Sequence, residues 1–452
     1  MLANDYNDEA GPFYVPAGKF LPPQPQIRHF DGPGWADFRN IAANYGVVAS
    51  VAPARNWIVR LGAFRSVFDQ KTSFANLLLD LEPDGTADRV IIADPHEKNA
   101  SLSGELRVTH SIAEGPRLHL VHVSIRERDA RRQFGGSDEI DLGPTRIGDP
   151  VIAPPPAFVF GDQSHDHVRQ TTWGVAYDGR WKNVGELSFG LSRADYAKTT
   201  SLAGVAPVTA RSHPWLYNGT AAVSLSKRLS FYAGYARGLE ESGLAPPNAA
   251  NRNQPLPTIL TEQKDMGLRW VVTGNIKLVA GVFDLRRPYF SLDTANLYSQ
   301  TGTTRSQGAE FSVAGNLTRR LGLVAGGYFL RPRVEREASA AGVIGKRPVG
   351  LPGHFLNLNV NWRTPLLDGL SLDAAILKRG TVAATTDNLV LLPPRAQVNL
   401  GGRYQFKLGG HPATLRLQAG NVFDNKGFGT AGPGIYAANQ GRNLSGYLAV
   451  DV

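Results

Sequence analysis

Cysteine is absent from this 452-residue chain, and methionine occurs only twice. Absent cysteine excludes a disulfide framework, a thiol nucleophile and thiolate metal sites. No window of about 18 apolar residues occurs, so no transmembrane helix is encoded. The mean hydropathy is −0.21. That value leaves membrane strands open, because their alternating polar and apolar residues average to neutral. The opening residues, Met1-Leu-Ala-Asn-Asp-Tyr-Asn-Asp8, have neither the basic region nor the apolar core of a signal peptide. Elbows of the Gly-Xaa-Ser-Xaa-Gly type, phosphate-binding loops and His-Glu-Xaa-Xaa-His motifs are missing too. No enzymatic activity and no cofactor are expected. The charge balance is basic, at +9, with a pI near 9.6. Yet no cluster of Lys and Arg interleaved with aromatics occurs of the kind that single-strand binders use. The excess cations read as solvated surface, with no nucleic-acid partner.

What is present is glycine, proline and aromatics in a period of two. Leu102, Leu106, Val108 and Ile112 fall on one side of an extended segment, and Ser103, Glu105, Arg107 and Thr109 on the other. Thr171, Trp173, Val175 and Tyr177 repeat the pattern, as do Leu187, Phe189 and Leu191. One polar and one apolar face mean a strand separating two media. The stretch Ser230–Val313 shows the larger rhythm: strand, long loop, strand, the tight turn Thr273-Gly-Asn275, strand, long loop, strand. Continued along the chain, it yields about seventeen strands, each long enough to cross a bilayer when tilted. Short turns alternate with long loops throughout. That asymmetry marks an antiparallel, transmembrane up-and-down β-barrel of the outer-membrane type. Trp173, Trp270 and Trp362 read as its membrane anchors.

Several segments together resemble one family. They are Tyr232-Ala-Gly-Tyr-Ala-Arg-Gly-Leu-Glu-Glu-Ser242, Gln263-Lys-Asp-Met-Gly-Leu-Arg269, Gly281-Val-Phe-Asp284, Gln307-Gly-Ala-Glu-Phe-Ser312 and Gly420-Asn-Val-Phe-Asp-Asn-Lys426. This ordered set resembles the barrel of TonB-dependent outer-membrane receptors, with the tone of siderophore receptors. The resemblance implies a barrel of about 22 strands with a plugged lumen, preceded by a signal peptide. The chain is therefore expected to be an incomplete barrel, about 17 of 22 strands, lacking plug and signal peptide. Residues 1–40 are expected to be an irregular external-loop segment, with room for one short strand, and residues 41–452 the partial barrel domain. The chain ends on Val452, where barrels of this kind usually end on an aromatic residue.

The resemblance further implies a role in importing a scarce solute, a ferric siderophore foremost. Partners would be that solute, outer-membrane lipid and the TonB complex, and the location would be the Gram-negative outer membrane. A passive porin-like channel or structural barrel stays open as the alternative. Ligand contacts are expected where loops meet strands, at Arg237, Glu240, Arg252, Arg287, Tyr289 and Arg305. Arginine forks suit carboxylate, catecholate or phosphate oxygens, and tyrosine offers a stacking face. His165 and His167 share one side if extended, but a closed metal site needs about four ligands and no others can be assigned.

Overall fold

The computed structural model describes residues 2–7 (backbone only), 11–26, 28–30, 32–151, 154–246, 249–337 and 344–451. No helix occurs among them, and the chain is all-β. Twenty-four strands hydrogen-bond into one sheet. Six of these lie in the connections at one end: Pro12–Pro16, Thr86–Asp94, Asp138–Arg146, Val208–Ser212, Phe428–Gly432 and Ile435–Ala438. The other eighteen follow one another along a wall in chain order, each antiparallel to the next. They begin with Leu2–Asn7, Phe38–Ala54 and Trp57–Leu81 and end with His411–Gly420 and Asn443–Val450.

The register explains why the sequence alternates. Val59 faces Val108, Val108 faces Val123, Val123 faces Val175, and Val175 faces Leu191. Directly opposed residues share a face of the sheet, so these form one apolar row across five strands. Met266, Val282, Ala309 and Phe329 form another. Val175, Leu191, Met266, Val282 and Phe329 are all exposed, on the outward face. The inward face carries Asn357, Asn359 and Asn361, with the Asn359 amide donating to Asn357 Oδ1 at 2.9 Å. Trp173, Trp270 and Trp362 all stand exposed on the apolar face.

The wall has one strand more than the seventeen expected. The extra one is Leu2–Asn7, inside the segment expected to be irregular loop. Leu-Ala-Asn-Asp-Tyr-Asn carries no period-two apolar signal; it is held by backbone pairing from Leu2↔Ala43 to Asn7↔Phe38. A backbone ladder leaves no trace in side-chain pattern. The first and last wall strands are not paired with each other among the described residues.

The largest buried apolar core lies outside the wall. Strand Trp57–Leu81 runs 25 residues, well past the wall. Its outer part pairs with Thr86–Asp94 on one side and, in parallel, with Pro12–Pro16 on the other. Pro12–Pro16 also pairs with Ile435–Ala438. Connections far apart in sequence are thereby joined into a cap. Tyr14, Leu78, Leu81, Val382, Val390, Leu392, Phe428 and Tyr436 bury together beneath it. Tyr14 and Phe428 meet edge to face, with centroids 5.6 Å apart.

One turn of the cap is held by charge. Asp387 accepts from Thr385 Oγ1 at 2.6 Å and from the Leu389 amide at 3.1 Å, and it pairs with Lys19 Nζ at 2.9 Å. The Thr385 hydroxyl, Lys19 and the Leu389 amide hold its carboxyl well below the usual range.

Two outcomes follow for the cap. Leu78→Ala is expected to cost it about 2–5 kcal/mol, as for other buried leucines. Limited proteolysis should show faster cleavage in residues 82–96 and 384–390 with the wall still intact. Uniform loss of the wall would show that the cap is not a separate unit. Asp387 has a folded pKa below its unfolded one, so its contribution is present at neutral pH and lost as pH falls below about 4. The difference in cap protection between wild type and Asp387→Asn should therefore shrink with acidification; a constant difference would contradict it.

Candidate functional site

The register sorts the six expected ligand residues onto two faces. Arg237 opposes Glu262, Glu262 opposes Arg286, and Arg286 opposes Arg305. This row lies on the same face as Met266 and Val282, so Arg237 and Arg305 point outward. Arg237 donates to Tyr217 Oη at 3.3 Å and lies over that ring at 5.6 Å. Arg305 Nε reaches both oxygens of Asp284, at 3.1 and 3.0 Å. Both belong to an outward collar of cations and aromatics. Within it Arg193 covers Trp215 at 5.1 Å and Tyr217 stacks on Tyr235.

Glu240, Arg287 and Tyr289 fall on the inward face. Arg287 Nη2 lies 3.0 Å from Glu240 Oε2, and the Thr261 hydroxyl donates to Glu240. Tyr289 stands two residues beyond Arg287 on the same side. Arg252 is exposed on the connection between strands Leu229–Glu240 and Ile259–Thr273. The structure thus brings together Glu240 and Arg287, sets Tyr289 above them, and keeps Arg237, Arg305 and Arg252 apart from the pair.

That connection is anchored to the inner wall. Lys198 Nζ lies 3.1 Å from Asp166 Oδ2 and 3.4 Å from Glu241 Oε1, and it donates to the Ser242 carbonyl at 3.1 Å. Thr200 Oγ1 donates to Asp166 at 2.6 Å. The Lys198 and Asp166 side chains are only 5% and 9% exposed, so the ion pair is desolvated. Ala245, Ala249 and Leu256 then pack against Phe290, Leu292 and Tyr298. The Asn251 side chain exchanges two hydrogen bonds with the Tyr298 backbone, at 3.1 and 2.8 Å. This connection is thus tied to the wall and to the neighbouring connection at several points. Sequence reading missed Lys198 and Asp166; their only signal was a charge placed in phase with Tyr196 and Val168 on an otherwise buried strand face.

Elsewhere the inner wall carries compensated charge. Glu105 bridges Arg107 at 2.6 Å and Arg126 at 2.7 Å. On the outward face, in phase with Trp173, His167 Nε2 lies 2.9 Å from Asp129, and no metal-holding cluster of His, Asp and Glu occurs among the described residues.

Residues 2–422 match the family model of the TonB dependent receptor-like β-barrel. The chain belongs to the TonB-dependent receptor β-barrel family. It is 24% identical over 435 residues to the ferrichrome receptor FcuA of Yersinia enterocolitica, covering 90% of this chain and 54% of that one. The chain thus spans about half the length of that relative. Among solved structures, this TonB-dependent receptor barrel resembles the ferric preacinetobactin receptor BauA of Acinetobacter baumannii. The TM-score is 0.84 at 19% identity, covering 99% of this chain and 68% of that one. The ferric-catecholate import receptor Fiu of E. coli K12 gives 0.79 at 16% identity, covering 99% and 70%. These structural likenesses are of fold.

Removing the buried cation tests the loop anchor. Lys198→Met leaves Asp166 buried without a counter-charge, a change expected to cost about 3–5 kcal/mol. Hydrogen exchange should rise across residues 241–258 while the wall strands stay protected. Unchanged protection in that connection would show that Lys198 does not hold it.

Proposed function

We propose that this chain is the wall and outer mouth of an outer-membrane TonB-dependent receptor that captures a scarce solute, a ferric siderophore. The observation that carries the reading is the family match across residues 2–422, which falls on a wall with one apolar and one polar face. Such a wall separates lipid from an aqueous lumen. Glu240, Arg287 and Tyr289, with Arg252 on the anchored connection, would present charge and an aromatic face to the ligand. Arg237 and Arg305 would instead meet lipid head groups from the outward collar, where cations and aromatics are favoured.

The ring would be completed by further strands between Leu2–Asn7 and Asn443–Val450. An open edge in hydrocarbon leaves backbone groups unsatisfied at several kcal/mol each. Wall strands alternate in direction, so an even number must close it; four would bring the eighteen to the family's 22. Residues 41–452 would then form the larger part of the barrel domain and 1–40 its external segment with one further strand. Transport would need a plug and the TonB complex as partners.

A complete receptor carrying this wall should support uptake of siderophore-bound radioiron in TonB-positive cells and lose it when TonB is deleted. Equal uptake in both backgrounds would identify a passive channel instead. In that receptor Arg287→Ala should weaken chelate binding about tenfold, near 1.4 kcal/mol, whereas Arg305→Ala on the outward face should leave it unchanged.

A further inference from the structure

Arg379 ends strand Leu370–Arg379 and Arg395 begins strand Arg395–Leu408. They oppose each other directly in the register, as do Leu377 and Gln397 below them. They share the inward face with Ala375 and Asn399, so two guanidinium groups stand side by side at the mouth. Like charges directly opposed on a sheet repel. Both side chains are half-buried. Arg379 Nη2 donates to the Phe428 carbonyl at 2.9 Å, and Arg395 Nη2 donates to the Asn425 carbonyl at 3.3 Å. The Nε of each is buried with no hydrogen-bond partner.

Neither arginine has a carboxylate partner among the described residues. The nearby Asp424 is already engaged, by Arg28 Nη2 at 3.0 Å and the Arg442 amide at 2.6 Å. The next arginine pair on this wall shows the contrast. Arg403 and Arg416 also oppose each other, but there Asp373 lies 3.8 Å from Arg416. A compensating acid is thus supplied lower in the wall and withheld at the mouth.

The space in front of the pair is a cavity of about 460 Å³. A third cation, Lys426, lines it, along with Asn425, Asn439 and Phe428; no carboxylate does among the described residues. Its size suits a small ligand. An oxyanion placed there would relieve the repulsion and take two planar forks of donors at once.

We infer that Arg379, Arg395 and Lys426 form an anion-binding site at the outer mouth, built for a ligand that presents two or more carboxylate or phenolate oxygens. A neutral chelate would leave the cations uncompensated. That the anion is an iron chelate rests on the function proposed above; the site itself does not.

The test uses the full chain in detergent micelles and calorimetry with three probes: metal-free citrate, an anionic ferric tricatecholate and a neutral ferric trihydroxamate. The wild type should bind citrate and the tricatecholate. Arg379→Gln with Arg395→Gln should weaken both at least tenfold and leave any trihydroxamate binding unchanged. Absence of citrate binding by the wild type overturns the site, as does citrate affinity in the double variant within twofold of wild type. Citrate binding that depends on the arginines, without binding of any ferric chelate, upholds the site and removes the siderophore reading. If the double variant fails to fold, Lys426→Gln decides, because Lys426 is exposed. A loss of about threefold for citrate supports the site, and no change overturns it.

Discussion

A backbone amide or carbonyl without a partner costs several kcal/mol in hydrocarbon, and that constraint orders the rest of this molecule. Strands satisfy it only in pairs, so each of the eighteen wall strands takes its partners from its sequence neighbours. Pairing in turn fixes the pleat, and the pleat assigns every second residue to lipid or lumen. The row Val59, Val108, Val123, Val175 and Leu191 is one product of this assignment. The polar ladder Asn357, Asn359 and Asn361 is another.

Because the wall spends its apolar residues on its outer surface, it has little interior to bury. The conventional core is displaced into the external connections. There Leu78 from an overlong strand meets Tyr14, Val390 and Phe428, residues drawn from both ends of the chain. The Lys198–Asp166 pair does similar work across the mouth, holding one connection against the wall. Anchored external connections would serve the capture proposed above, since a ligand that must first order its loops loses affinity to their entropy. The two mouth features differ in charge logic. Glu240 and Arg287 neutralise each other, while Arg379 and Arg395 are left for something else to neutralise.

Much of the wall was legible in sequence. Trp173, Val175 and Tyr177 announced a two-faced strand, and the register bears that out. The strand Leu2–Asn7 was illegible because a short edge segment is specified by backbone hydrogen bonds, which have no side-chain signature. Candidate ligand residues were chosen by type and by nearness to loops. Type alone cannot tell Arg287 from its neighbour Arg286, yet one turns inward to Glu240 and the other outward beside Asp284. Arg379 and Arg395 went unnoticed because their significance is relational. Fifteen residues of intervening chain separate them, and only pairing puts them opposite each other.

By itself, the sequence determined the class of structure, the membrane-facing row and the family, because period-two alternation and ordered motifs are local and survive without a fold. The tertiary structure alone decided which charges share a face, which are compensated, and which connections pack into the cap. Those depend on register and on contacts between distant segments, where a shift of one residue would exchange lipid for lumen along a whole strand.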